Sequence, residues 1–206
     1  MNYRSRYIVK KIASLMILEN GFLLKTVDGM SEEMFFDLCQ ANSELRMERD
    51  QYGNIIVMSP TGSTTGKYNT AITSRVWLWN EEAGLGITFD SSTGFTLPNG
   101  AVRSPDVSWI ARDRWEVIPE PQQEKFAPIC PDFAVEIRSE SDRMIDLKKK
   151  MEEYRANGCR LGWLIDRKGK EVHIYRLDGS IEIKKGKLVE LLGEDVLLGL
   201  VMEIEF

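Results

Sequence analysis

The sequence predicts an α/β (α+β) fold in which a central mixed β-sheet is flanked by α-helices, and three observations carry that prediction. Two segments show apolar residues at helical spacing, Ile72-Val76-Trp79 and Met144-Leu147-Met151-Tyr154. Between and after them the period shifts to two, in short runs separated by Pro, Asn, Asp and Gly. The 206 residues, 43% hydrophobic and 29% charged, are enough for one domain with a sizeable core. Residues 1–30 read as an N-terminal appendage and residues 31–206 as a single domain.

In the appendage, the basic residues Arg4, Arg6, Lys10 and Lys11 precede an apolar run from Ile12 to Leu18. That run stops at Glu19-Asn20-Gly21 without a small-residue cleavage site, which favours an accessory strand or helix over a secretory signal. Ser31 with Glu32 and Glu33 has the chemistry of a helix start, and the helix should carry Met34, Phe35 and Leu38 to about Ala41. Glu48 precedes a turn from Asp50 to Gly53, and the strand Ile55 to Met58 stops at Ser59-Pro60. A long helix follows from Thr64 to Ala83, closed by Gly84. Strands are expected at Ile87 to Phe89, Gly94 to Leu97 and Ser104 to Ile110, then a polar loop from Glu116 to Pro131. After the strand around Glu136 comes a helix from about Asp142 to Asn157, ended by Gly158. Strands at Leu161 to Ile165, Val172 to Leu177 and Ile181 to Lys184 lead to a tail with one or two short edge elements, all in a single mixed sheet.

Several chemistries are disfavoured. Cys39, Cys130 and Cys159 are odd in number and lack a C-x-x-C pair, so neither a disulfide framework nor a zinc cluster is suggested, and a reducing cytoplasm is the expected location. The single histidine, His173, lies in a strand-like run and reads as a half-exposed strand residue, which leaves little room for His-based catalysis. No apolar run approaches the roughly 20 residues of a membrane span, so no membrane association is expected. Gly62-Ser63-Thr64-Thr65-Gly66-Lys67 resembles a phosphate-binding loop but is one residue short and has Tyr68 where a hydroxyl ligand for magnesium is needed. No nucleotide cofactor is therefore expected. A net charge of −5 argues against nonspecific coating of nucleic acid, although a local basic rim can coexist with an acidic whole.

The chemistry-bearing pattern is Pro105-Asp106 followed by Asp132-Phe133-Ala134-Val135-Glu136-Ile137-Arg138. Alternation along a strand puts Ala134, Glu136 and Arg138 on one face and Phe133, Val135 and Ile137 on the other. An unpaired glutamate in so apolar a run is costly to bury, which marks Glu136 as a candidate ligand. Acids on adjacent strands can hold Mg²⁺ or Mn²⁺ against a phosphodiester, and Asp106 and Glu136 suit that role. Asp132, after a proline, is better suited to starting the strand. Arg138 carries charge but cannot give up its proton, so it would stabilise charge and not serve as a base. Asp146, Lys150 and Tyr154 fall at i, i+4 and i+8 of the next helix, so Lys150 could supply the amine beside Glu136, with Asp146 and Tyr154 in support.

Taken in order, Glu48 ahead of a Gly turn, Met58 to Gly62, Gly94 to Pro98, Ser104 to Val107, Pro131 to Ser139, and Lys150 through Asp166 resemble the Uma family of the PD-(D/E)XK, restriction-endonuclease-like superfamily. The resemblance spans about Ser31 to Leu177. It implies a restriction-endonuclease-like sheet, metal ligands at Asp106 and Glu136, Glu48 as a third acid, and Lys150 as the displaced lysine. The functional expectation is a Mg²⁺- or Mn²⁺-dependent endonuclease hydrolysing DNA, acting as a homodimer. The alternative is a catalytically inactive, nuclease-derived module that binds DNA or protein.

Overall fold

The computed structural model describes residues 12–18 and 21–206; the predicted basic cluster Arg4, Arg6, Lys10 and Lys11 and the Glu19-Asn20 stop lie outside them. In chain order, the hairpin β1 (Ile12–Leu18) and β2 (Gly21–Thr26) leads to α1 (Glu32–Ala41), β3 (Arg46–Arg49), β4 (Ile55–Met58) and the long α2 (Ser63–Ala83). Next come β5 (Gly86–Phe89), β6 (Phe95–Thr96), β7 (Val102–Arg103), β8 (Val107–Ala111), and two short helices, α3 (Arg112–Glu116) and α4 (Glu120–Gln123). The remainder is β9 (Phe133–Ile137), α5 (Met144–Ala156), β10 (Leu161–Asp166), β11 (Glu171–Arg176), β12 (Ile181–Lys185), β13 (Leu188–Leu192) and β14 (Val201–Glu205).

The described strands form two six-stranded sheets, where the sequence suggested one. The first has the order β1-β2-β4-β3-β7-β6, the second β12-β11-β10-β9-β8-β5, and β13-β14 make a separate hairpin. The difference arises at Pro98 to Pro105, where turns interrupt the alternation and send β7 to pair with β3 instead of β8. β3 itself escaped notice because Glu48 and Arg49 are both buried, against the usual placement of charge. β2 pairs with β4, so residues 21–26 are an integral part of the first sheet.

The second sheet is antiparallel except for β9 and β10, which run parallel with Glu136 opposite Leu164. Parallel neighbours need a crossover, and α5 is that crossover. One sheet face, with Phe133, Val135, Ile137, Trp163 and Ile165, packs on Ile72 and Val76 of α2 and on the β13-β14 hairpin. The other, with Ala134 and Leu164, packs on Met151 and Tyr154 of α5. This split is the one that strand alternation predicts. α5 seats closely because Gly162 lies beneath it: a Cβ there would come within 2.5 Å of the Met151 side chain.

α1 starts at the predicted cap, where Ser31 Oγ accepts the Met34 N–H. α2 ends at Gly84, whose φ of 64° is the left-handed conformation that glycine adopts readily. Just inside that end, buried Asn80 donates to the Gly86 carbonyl and accepts from the Gly86 N–H and the Trp109 indole, fastening α2 to β5 and β8. The predicted polar loop from Glu116 to Pro131 contains α4, and α3 leads directly into it; both are too short to show a helical period. His173 is buried, not half-exposed, because Glu171 two residues away meets its Nε2 at 2.8 Å.

Candidate active site

The site forms where the two sheets and α5 meet. β9 directs Glu136 toward α5, where it is 4% exposed. Its Oε1 accepts the Tyr154 hydroxyl at 2.8 Å and lies 2.9 Å from Lys150 Nζ. The same ammonium is 2.8 Å from Glu48 Oε1, which arrives from β3 of the other sheet. Glu48 is fully engaged: Oε1 also accepts the Ser104 N–H, and Oε2 accepts from Arg103 at 3.0 Å. Arg103 then turns its Nε to Glu153 of α5 at 2.6 Å. Asp106, just ahead of β8, accepts the Ile137 N–H at 2.8 Å and the Asn69 amide of α2 at 3.2 Å. That backbone bond ties Asp106 to the residue next to Glu136.

These neighbours drive the acids in opposite directions. Burial would raise the pKa of Glu48, but Lys150 and Arg103 outweigh it and draw the carboxyl down to about 2. Burial dominates for Glu136, whose partial relief by Lys150 is opposed by the charges of Asp106 and Glu48, so its pKa rises to about 7. Burial likewise raises the pKa of Asp106. Lys150 is pushed down by burial and more strongly up by Glu136 and Glu48, so it stays charged at neutral pH.

A count of charge indicates what could complete the site. Asp106, Glu48, Glu136 and Glu153 supply four carboxylates, while Lys150 and Arg103 supply two cations. Arg46 and Asp142 also act on Asp106, with opposite signs. With all four carboxylates ionised, two negative charges would be unmatched in a buried place, and the raised pKa values of Asp106 and Glu136 express that excess. Among the described residues no group of three or more His, Cys, Asp or Glu forms a metal cage. Magnesium does not require one, since it binds through one or two carboxylates and keeps its waters. Asp106 and Glu136 fit such an ion, and they do not fit a closed structural zinc site.

The family model described as "Uma2: Putative restriction endonuclease" matches residues 32–205. The chain belongs to the Uma2 family. A solved structure titled as a putative nuclease of DUF820 from Anabaena variabilis aligns with a TM-score of 0.70 over 84% of this chain and 94% of that one, at 20% identity, which establishes a shared fold. No curated protein matches this Uma2 chain.

Of the residues marked in the Uma2 sequence, Asp106, Glu136, Lys150, Glu48 and Tyr154 are brought together. Two others are not. β9 ends at Ile137, and beyond it Arg138 swings to Asp166, 3.1 Å away, and to the Asp142 carbonyl, so its charge is spent at the end of β10. Asp146 is exposed and pairs with Arg143 at 3.6 Å, whereas Lys150 one turn along α5 is turned inward to Glu48 and Glu136. Asp132 sits at the other end of β9, where it accepts the Ala111 N–H and meets Arg114 at 2.8 Å, the strand-starting role expected of it. Sequence reasoning missed Arg103, Glu153 and Asn69. Glu153 stands at i+3 from Lys150, and that spacing was the one available signal.

Proposed function

We propose that this Uma2 chain is a Mg²⁺- or Mn²⁺-dependent endonuclease of the PD-(D/E)XK type that hydrolyses phosphodiester bonds in DNA. The observation that carries the proposal is the convergence on one point of Glu136 from β9, Asp106 from the start of β8 and Lys150 from α5. In this reading Asp106 and Glu136 are the two acids of the motif, and Lys150 supplies its lysine from the helix. A metal bound by Asp106 and Glu136 would polarise the phosphoryl oxygen and acidify a water. Tyr154 and Lys150 both engage Oε1 of Glu136, which orients that carboxylate. Lys150 is held charged, so it acts as a fixed cation that balances charge building on the phosphate, not as a base. Glu48, already paired with two cations, Lys150 and Arg103, serves as the anchor of Lys150 and not as a direct metal ligand.

Cleaving both strands of a duplex needs two scissions, which a two-fold homodimer supplies most simply. The test is nicking of supercoiled plasmid with Mg²⁺ or Mn²⁺. Asp106→Asn and Glu136→Gln are each expected to lose at least about 10²-fold in rate while keeping the native circular dichroism spectrum. Full activity in both variants would overturn the assignment. An inactive wild type that still binds DNA would favour the nuclease-derived binding module.

A further inference from the structure

Arg103 has no part in the sequence motif, yet it is the only described residue whose side chain bridges Glu48 of the first sheet and Glu153 of α5. Its side chain is 12% exposed, and the two carboxylates it joins are 4% and 15% exposed. The bridge continues past Glu153. Asn99, in the turn between β6 and β7, donates its side-chain amide to Glu153 Oε1, and its backbone N–H donates to Oδ1 of Asn157, the residue that caps the end of α5. Glu153 and Asn157 lie three and seven residues beyond Lys150, which places all three along one stretch of helix surface.

Two consequences follow from this geometry. The first is mechanical: the β6-β7 hairpin grips α5 through Arg103 and Asn99, fixing how far Lys150 reaches toward the acids. The second is electrostatic. Lys150 is shared almost evenly, 2.8 Å from Glu48 and 2.9 Å from Glu136. Glu48 carries a full negative charge, and without Arg103 that charge would have only Lys150 and the Ser104 N–H to answer it. The ammonium would then be drawn to Glu48 and away from Glu136.

We propose that Arg103 is a positioning residue: by neutralising Glu48 and clamping α5 through Glu153, it holds Lys150 between the two sheets so that its charge stays on Glu136. The inference rests on the nuclease reading above and deepens it. Arg103 touches neither the proposed metal ligands nor, in this role, the substrate.

Three roles for Arg103 make different predictions for Arg103→Met. As a positioning residue, its loss should lower kcat by about 10-fold or more with little change in KM for DNA. Mn²⁺ binding to the metal-free protein, followed by calorimetry, should be unchanged or several-fold tighter, because a cation has left the neighbourhood of Glu136. A DNA contact would instead raise KM and flatten its salt dependence. A merely structural residue would weaken metal binding and kcat together. Arg103→Lys, which can neutralise Glu48 but cannot span to Glu153 with a planar fork, should recover part of kcat. Because Arg103→Met could fail to fold, Glu153→Gln breaks the clamp from its other end while keeping the Asn99 contact. It should show the same kcat loss in weaker form. An unchanged kcat in folded Arg103→Met and Glu153→Gln, or a loss confined to KM, overturns the proposal. An inactive wild type would instead sink the nuclease reading, and the Mn²⁺ measurement would still report on Arg103.

Discussion

Glu48 and Glu136 share one ammonium at almost equal distances, both are buried, and their pKa values move apart, to about 2 and about 7. Burial is the largest influence on each, so burial alone cannot separate them. The company each keeps does. Glu48 has a second cation, Arg103, and a backbone N–H, so its charge is more than repaid. Glu136 has Lys150 and a tyrosine hydroxyl, but it faces Asp106 and Glu48 across the same space. The β3 side of the site is therefore electrostatically closed, and the β9 side is open to one more cation. On the proposed reading, this uneven supply of cations makes Glu48 the structural acid and Glu136 the chemical one.

The harshest way to break this comparison is to remove what the two acids share. Lys150→Met should abolish the proposed nicking, by at least about 10²-fold. It should also destabilise the metal-free protein by about 3–5 kcal/mol at pH 7, because two buried carboxylates lose their common partner. Urea melts would read the stability loss, which should shrink at pH 5, where Glu136 takes up a proton.

A gentler test separates the acids by pH. Glu136 binds its proton more tightly folded than unfolded, so stability falls as pH rises from the ordinary 4.5 toward about 7. Glu48 is the reverse: its contribution is complete above 4.5 and is lost as pH falls toward about 2. In metal-free protein, Glu136→Gln should flatten the first slope and Glu48→Gln the second, and only Glu48→Gln should be less stable than wild type at pH 7. Identical pH profiles for the two variants would show that they are not distinguished as the geometry requires. The smallest effect is expected from Asp146→Ala, since that carboxylate is exposed and paired only with Arg143. Nicking should stay within about twofold and stability within about 0.5 kcal/mol of wild type.

Much of this was legible in the chain. The stripe Met144-Leu147-Met151-Tyr154 announces α5, and Ser31 and Gly84 mark a helix start and a helix end, because caps and periodicity are local. The Glu136 site could be suspected because an acid inside Phe133 to Ile137 contradicts its surroundings. Arg138 misled for an equally physical reason: strand alternation holds only while the strand lasts, and β9 stops one residue short of it. Asp146 misled because i, i+4 spacing brings side chains near each other without saying which of them turns inward. β3 was hidden because its buried Glu48 and Arg49 look like surface residues until their partners are known.

What the sequence determined by itself is the order of the three long helices and of most strands, the two faces of β9, and Asp106 and Glu136 as the acids to watch. These rest on the dihedral periods of helix and strand and on the cost of burying a charge, which neighbouring residues already express. Only the tertiary structure decided that Lys150 lies between Glu48 and Glu136, that Arg103 and Glu153 clamp it there, and that Arg138 serves Asp166. Coulomb interactions depend on distance through space and on burial, and both are set by how two sheets and a crossover helix pack, not by separation along the chain.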